Sequence, residues 1–298
     1  MAEGSTRGLV PAGLSVSAVV VTYRTGPVLF ECLLALADDP DIAEIIVVNN
    51  GNPAEAVEAV RSMRVDAPWL NIVGEGKNIG FAAGVNLGAK HATGDRLLIL
   101  NPDAVLQPGS IAALESARAR GNEPMVVGGK IVGEDGAEQR GGRRRRLTLA
   151  SGAATFLGMS WLKVVHPAFQ SINRNTEPEP PGPIPVGAVS GALMYMSNAG
   201  FQRLGGFDEA YFLHVEDLDL CRRAEWEGGS VIYTPFASAM HAGGTSDAPA
   251  MVVEQHKAAG LKRYFRKFAR SRTEKAAAAV LSPLIGLAIT VRAWARRR

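Results

Sequence analysis

Asp103 follows the apolar run 97–100 and the dipeptide Asn101-Pro102, a spacing that sets a carboxylate just beyond the end of a buried strand. Proline cannot extend a β-ladder, so the strand must stop there. In open parallel sheets ligands gather outside the carboxyl ends of the strands, and an acidic side chain at such an end suits a metal that bridges to a phosphate. Ordinary turns and helix caps favour the same residues, so this segment alone does not decide. Glu216, Asp217 and Asp219 open a helix, where their charge also suits the positive end of the macrodipole. Arg143 and Arg144 begin a run of four arginines whose forks fit a phosphate or a charged acceptor, although such runs are commonly solvated loops. His241 stands alone before two glycines, and a lone histidine is more often structural than ligating. Asn78 precedes a glycine turn and offers both donors and acceptors.

The elements that must position these residues follow from apolar runs and turn signals. Strands are expected at 15–22, 44–48, 70–73, 97–100, 125–132 and 230–233, with helices after Pro27, up to Met63, from Gly80 to about His91, over 110–120, and from Glu216 to Gly228. The alternation β-α-β-α-β predicts an α/β fold, a mostly parallel doubly wound sheet. Gly80, Gly84 and Gly88 recur at four-residue intervals without the dinucleotide-binding spacing, and for Gly84 and Gly88 close helix-on-sheet packing explains them. The segment 173–185 reads as an extended connector, and 186–197 as a strand returning to the sheet edge.

The 298 residues carry a net charge of +3, but positions 257–298 hold twelve Lys or Arg against one acid, Glu274, so that stretch is +11 and the rest −8. Such asymmetry aims the tail at an anionic surface. Leu261, Tyr264, Phe265 and Phe268 recur at helical spacing among basic residues, the pattern of an interfacial amphipathic helix. The uncharged run 276–291 is sixteen residues, short of a bilayer span, and predicts a segment lying in the interface; packing on the domain is the alternative. It is too apolar for a phosphate-tracking arm, so nucleic acid is not an expected partner. Cys32 and Cys221 have neither zinc nor disulfide spacing and read as buried free thiols. No secretory signal is visible before the first strand, which predicts a cytoplasmic protein associated peripherally with the inner face of the cell membrane.

Taken in order, the segments 21–24, 48–51, 78–81, 101–103, 205–209 and 216–220 resemble the inverting GT-A glycosyltransferases of family 2, and within them the bacterial rhamnosyltransferase branch. The resemblance covers about 15–246, leaving 1–14 as an N-terminal extension and 247–298 as a basic helical tail. It implies an L-rhamnosyl donor, dTDP-L-rhamnose or another nucleotide-sugar, bound by Thr22, Tyr23, Arg24, Asn49, Asn78, Gly80, Asn101 and Asp103. Asn49 replaces the carboxylate that usually reads the base, and Asn101 replaces the first acid of the Asp-x-Asp motif. Asp103 and His241 fall where family members hold a divalent metal, Mg²⁺ or Mn²⁺, while Asp217 matches the catalytic base, with Glu216 beside it. The stretch that marks processive members is missing, so one sugar per encounter is expected, on a polyprenyl-diphosphate-linked acceptor. The alternatives are a UDP-hexose donor, or a non-catalytic sugar-nucleotide-binding scaffold.

Overall fold

The computed structural model describes residues 13–63, 67, 69–243 and 249–295. Most of the expected N-terminal extension, the last residues of the expected domain (244–246) and Arg296–Arg298 of the tail lie outside the described residues.

Val16–Thr22 forms β1, buried along its length between two parallel neighbours. Its side chains alternate between faces, Val16, Ala18 and Val20 joining one core cluster and Val19 and Val21 the other. A strand covered on both faces is apolar at nearly every position, which is why it reads as an unbroken run. Helices α1 (Val28–Ala37), α2 (Ala54–Met63) and α3 (Phe81–His91) connect β1 to β2 (Ile42–Asn49), β3 (Leu70–Val73) and β4 (Arg96–Leu100). The resulting order β3-β2-β1-β4 is parallel throughout, so the ends of β1, β2 and β4 share one edge. Helix α3 lies close on β1 because it presents no side chain at the contact. A Cβ on Gly84 would meet Val21 Cγ1 at 2.7 Å, and one on Gly88 would meet Val19 Cγ1 at 2.5 Å.

The second half comprises β5 (Ala104–Leu106), α4 (Ser110–Ala117), β6 (Met125–Val132), β7 (Arg143–Arg144), α5 (Leu149–Phe156), β8 (Ile184–Pro185), β9 (Ala188–Val189), β10 (Leu193–Ser197), α6 (Asn198–Arg203), α7 (Glu216–Trp226) and β11 (Ser230–His241). It extends the sheet as β4-β10-β6-β11-β5, with β8 beside β11 and a separate β7-β9 pair. Two expectations need correction. The stretch 186–197 does not run to the edge: it breaks at Gly191, and β10 enters the middle of the sheet, antiparallel to both β4 and β6. The strand expected to end at Tyr233 continues to His241, passing Pro235 through a register shift between Tyr233 and Ser238. Proline is accommodated at such a bulge.

The tail also differs. Helix α8 (Ala250–Phe268) turns Leu261, Tyr264 and Phe265 into the same core cluster that holds β1 and α7, instead of presenting them to a lipid interface. A boundary at 246/247 therefore does not separate two cores. Helix α9 (Arg272–Ala295) runs through Pro283 and packs on α8 and α5, and by length and composition alone it could cross a membrane. Cys32 and Cys221 are buried free thiols, and burial pushes the Cys221 thiol up to about 12.

Replacing Gly88 by valine should overpack the α3–β1 contact and lower stability by about 1–3 kcal/mol. A urea midpoint equal to that of the parent would show that α3 is not seated as described.

Candidate functional site

The strand ends bring the expected nucleotide-binding residues together. Thr22 lies opposite Asn49 in the β1–β2 register, and Val20 opposite Leu100, so Asn101 emerges on the same edge. An amide network fixes the loop after β2. Asn52 accepts from Thr22 Oγ1 (3.1 Å) and the Arg24 N–H (2.8 Å), while its Nδ2 donates to the Thr22 carbonyl (2.9 Å) and to Asn49 Oδ1 (3.1 Å). Asn50 accepts from the Ile79 N–H (2.8 Å) and donates to Asn78 Oδ1 (3.2 Å), and Asn78 Oδ1 in turn receives the Gly80 N–H (3.1 Å). Asn50 and Asn52, which the sequence offered only as turn formers, are thus the links between Thr22, Asn49 and Asn78. Gly80 has φ +88°, and a Cβ there would meet the Phe212 carbonyl at 2.7 Å, so the turn requires glycine. Tyr23 carries the Arg24 guanidinium over its ring at 5.5 Å.

Asp103 and His241 meet because β11 pairs with β5 in a register that sets His241 opposite Ala104. The imidazole Nε2 lies 3.1 Å from Asp103 Oδ1 and 3.2 Å from Asn101 Nδ2. Gln139 fixes the ring from behind. Its Nε2 donates to the His241 carbonyl at 2.7 Å, which turns Oε1 toward the ring Nδ1 at 2.9 Å. Hydrogen-bonded to Oε1, Nδ1 carries a proton, and Nε2 faces the Asp103 carboxylate oxygen and the Asn101 amide. An imidazole oriented through its other nitrogen, next to an oxygen donor, is the arrangement a divalent cation accepts. Among the described residues no group of three or more His, Cys, Asp or Glu assembles, so a metal here would draw its remaining ligands from substrate phosphates and water.

Helix α7 opens with Glu216 and Asp217, both buried. Asp217 Oδ2 meets Arg144 Nη2 at 2.6 Å and accepts the Gly191 N–H at 3.2 Å, while Oδ1 accepts the Leu218 N–H at 2.7 Å. Burial alone would raise this carboxyl, but the Arg144 guanidinium and the two N–H donors outweigh it and hold it below the usual range. Glu216 is pushed up to about 8 by burial and by the neighbouring Asp217 charge, and its Oε2 has no hydrogen-bond partner. The Gly191–Ala192 segment joins the two halves of the site: Gly191 donates to Asp217, and the Ala192 carbonyl accepts the Asn101 N–H at 3.1 Å.

The arginine run divides its partners. Arg143 is 1% exposed and spends its guanidinium on Glu138 and the carbonyls of Glu177 and Pro178, which removes it from phosphate or acceptor contact. Arg144 serves Asp217, Arg145 pairs with Glu177 and Arg146 with Glu225. Gln139, which sequence reasoning also missed, carries no local signal, because its role depends on a pairing with position 241.

The parallel strand edge thus carries amide-rich loops, a carboxylate–imidazole pair and a separate buried carboxylate, on a fold of the GT-A type. The chain belongs to glycosyl transferase family 2, whose family profile it matches over residues 17–182. It is 30% identical over 239 residues, 75% of this chain and 74% of the relative, to N-acetylglucosaminyl-diphospho-decaprenol L-rhamnosyltransferase of Mycobacterium tuberculosis. The fold is similar to that of mannosyltransferase PcManGT from Pyrobaculum calidifontis, solved with GDP-Man and Mn²⁺ (TM-score 0.58, 18% identity, 94% of this chain and 74% of that one). It is also similar to GalNAc-T7, solved with UDP, GalNAc and Mn²⁺ (TM-score 0.57, 17% identity, 76% of this chain but 43% of that one). The protein is a glycosyltransferase with a rhamnosyltransferase relative.

Replacing Arg144 by glutamine should leave the Asp217 charge buried without its cation, cost about 3–5 kcal/mol of stability by urea unfolding, and move the acid limb of kcat/KM to higher pH. An unmoved limb would separate Arg144 from the titration of Asp217. Glu216 has the opposite sign: its raised carboxyl costs stability progressively as pH rises from 4.5 to about 8. The Tm advantage of Glu216→Gln over the parent should grow across that interval and then level off, whereas a constant difference would show that Glu216 is not destabilised by charge.

Proposed function

We propose that the chain transfers a single L-rhamnosyl unit from dTDP-L-rhamnose, with inversion and with a divalent metal, to a polyprenyl-diphosphate-linked saccharide at the cytoplasmic face of the membrane. The observation that carries the reading is the buried Asp217 carboxylate, kept ionised and linked through Gly191–Ala192 to the strand end that bears Asn101. The mycobacterial relative, an N-acetylglucosaminyl-diphospho-decaprenol L-rhamnosyltransferase, supports both the sugar and the lipid-diphosphate class of acceptor.

In this reading the acceptor hydroxyl loses its proton to Asp217 as its oxygen attacks the anomeric carbon, and the bond to the donor diphosphate breaks on the opposite face. Asp217 Oδ1 accepts one protein hydrogen bond and keeps a lone pair for that proton. Arg144 holds the carboxylate in place and charged between turnovers. Glu216 is held neutral in the same pocket at pH values below about 8, so that the pair does not carry two adjacent negative charges. Asp103 and His241 would hold the metal, which supplies neutralisation of the charge developing on the leaving diphosphate. Asn49, Asn50, Asn52 and Asn78 hold the nucleotide loops, with neutral amides replacing a charged base-reading group. Thr22, Tyr23 and Arg24 line the same edge.

Calorimetric titration with dTDP-rhamnose and with UDP-glucose, each with and without Mn²⁺, tests the reading. Metal-dependent binding of dTDP-rhamnose is expected; preference for the UDP-sugar would keep the fold and change the donor. Asp217→Asn should retain donor binding and lower turnover by about 10²–10⁴-fold, and turnover like that of the parent would reassign the base. Asp103→Ala should abolish the metal dependence of donor binding, whereas an unchanged Mn²⁺ titration would remove Asp103 from the site.

A further inference from the structure

Helix α9 has two apolar faces. Ala278, Ser282, Ile285, Ile289 and Ala293 are buried against the domain, whereas Val280, Leu284, Leu287, Val291 and Trp294, displaced about half a turn, face outward and are exposed. No charged side chain interrupts residues 276–291, so the outward face is an apolar band about 22 Å long at 1.5 Å per residue. A second exposed group stands beside it. Trp161, Val164 and Val165 project from the turns after α5, which itself packs on α9, and a Cβ on Gly158 would lie 3.7 Å from Arg292 Nη2. Val164 is 82% exposed. Exposed apolar side chains in such numbers on one helix face mark an interaction site.

We infer that this band, the outer face of α9 together with Trp161, Val164 and Val165, is a monotopic docking surface for an anionic lipid bilayer. The charge around it selects that occupant. Arg272 and Lys275 precede the band, Arg292 follows it and Lys163 lies within the second group, while Glu274 spends its carboxylate on the N–H groups of Arg270 and Ser271. An apolar strip with basic ends fits acyl chains beneath anionic headgroups. A two-fold pairing of α9 with a second copy would set Arg272 and Lys275 against Arg292, like against like. With its inner face seated along its length, α9 lies flat on the domain with only its outer half available to lipid. The membrane-binding surface is thus not the α8 stripe, which the core consumes. The inference deepens the proposed reaction, on which it rests only for the route of the acceptor: Arg144, which holds Asp217, lies on the segment that leads through α5 to Trp161 and Val164.

Co-sedimentation of the full chain with phosphatidylglycerol and with phosphatidylcholine vesicles tests the surface, alongside sedimentation equilibrium without lipid. Binding to the anionic vesicles is expected, falling at least tenfold in L287E and in V164D, both at exposed positions, with parental melting curves. Brominated phosphatidylglycerol should quench the parent's tryptophan emission and lose part of that quenching on Trp161→Phe. Vesicle binding unaffected by either charge substitution, or no binding by the parent, overturns the inference. So does a parental dimer that L287E dissociates without any vesicle binding, which would give the face to a second copy. Nucleotide-sugar titration of the same samples separates the two readings: vesicle binding without donor binding sustains the surface and removes the proposed reaction, and the converse removes the surface alone.

Discussion

A carboxylate that must stay ionised where water is largely excluded is the constraint around which this molecule is arranged. Asp217 is buried at the start of α7, and without a cation its charge would be unaffordable. Arg144 supplies that cation from β7, a two-residue strand paired with β9. The segment 133–190 therefore has a purpose beyond connection: Arg143 anchored on Glu138, Arg145 on Glu177 and Arg146 on Glu225 hold the backbone from which Arg144 reaches inward. Three of the four arginines build the platform, and the fourth holds Asp217.

The remaining parts of the site are joined by short links. The loop after β2 is fastened to the turn before α3 through Asn50; the Phe81 N–H at the start of α3 binds the Phe212 carbonyl at 2.8 Å; and the turn from Phe212 leads into Glu216 and Asp217. From Asp217 the path returns through Gly191 and Ala192 to Asn101, and from there to His241 and Asp103. The loops after β1 and β2, the start of α7 and the Asp103–His241 pair are thus joined by one continuous path of hydrogen bonds and short stretches of chain.

The sequence makes the parallel half legible because its signals are local: unbroken apolar strands, turn residues at their ends, and glycines where α3 meets β1. The order of the motifs singled out Asp103, His241 and Asp217, and the fold sets the first two side by side and buries the third against Arg144. What was hidden depended on pairing across the chain. Leu193–Met196 is apolar throughout, as an interior strand must be, but the preceding glycines obscured where it began. Pro235 reads as a stop, and only the bulge in β11 opposite β6 lets the strand continue to position 241. The arginine run looks solvated because its acids lie at positions 138, 177, 217 and 225. The amphipathic stripe of α8 was read correctly as a stripe, but periodicity does not say whether lipid or protein covers it.

The turn before α7 places two non-glycine residues at positive φ, His214 at +67° and the β-branched Val215 at +77°, a conformation that only surrounding contacts maintain. Those contacts come from α8: His256 stacks on Phe212 at 4.5 Å, Gly260 allows the helix to press on His214 and Val215, and Lys267 reaches Asp219 at 2.6 Å. Because α8 follows α7 by more than twenty residues, a ribosome delivers the brace after the part it braces. The turn that leads into Asp217 is thus among the last features of the domain that vectorial synthesis can complete, and a nascent chain that has not yet released α8 carries Asp103 and Asp217 without the contacts that hold that turn.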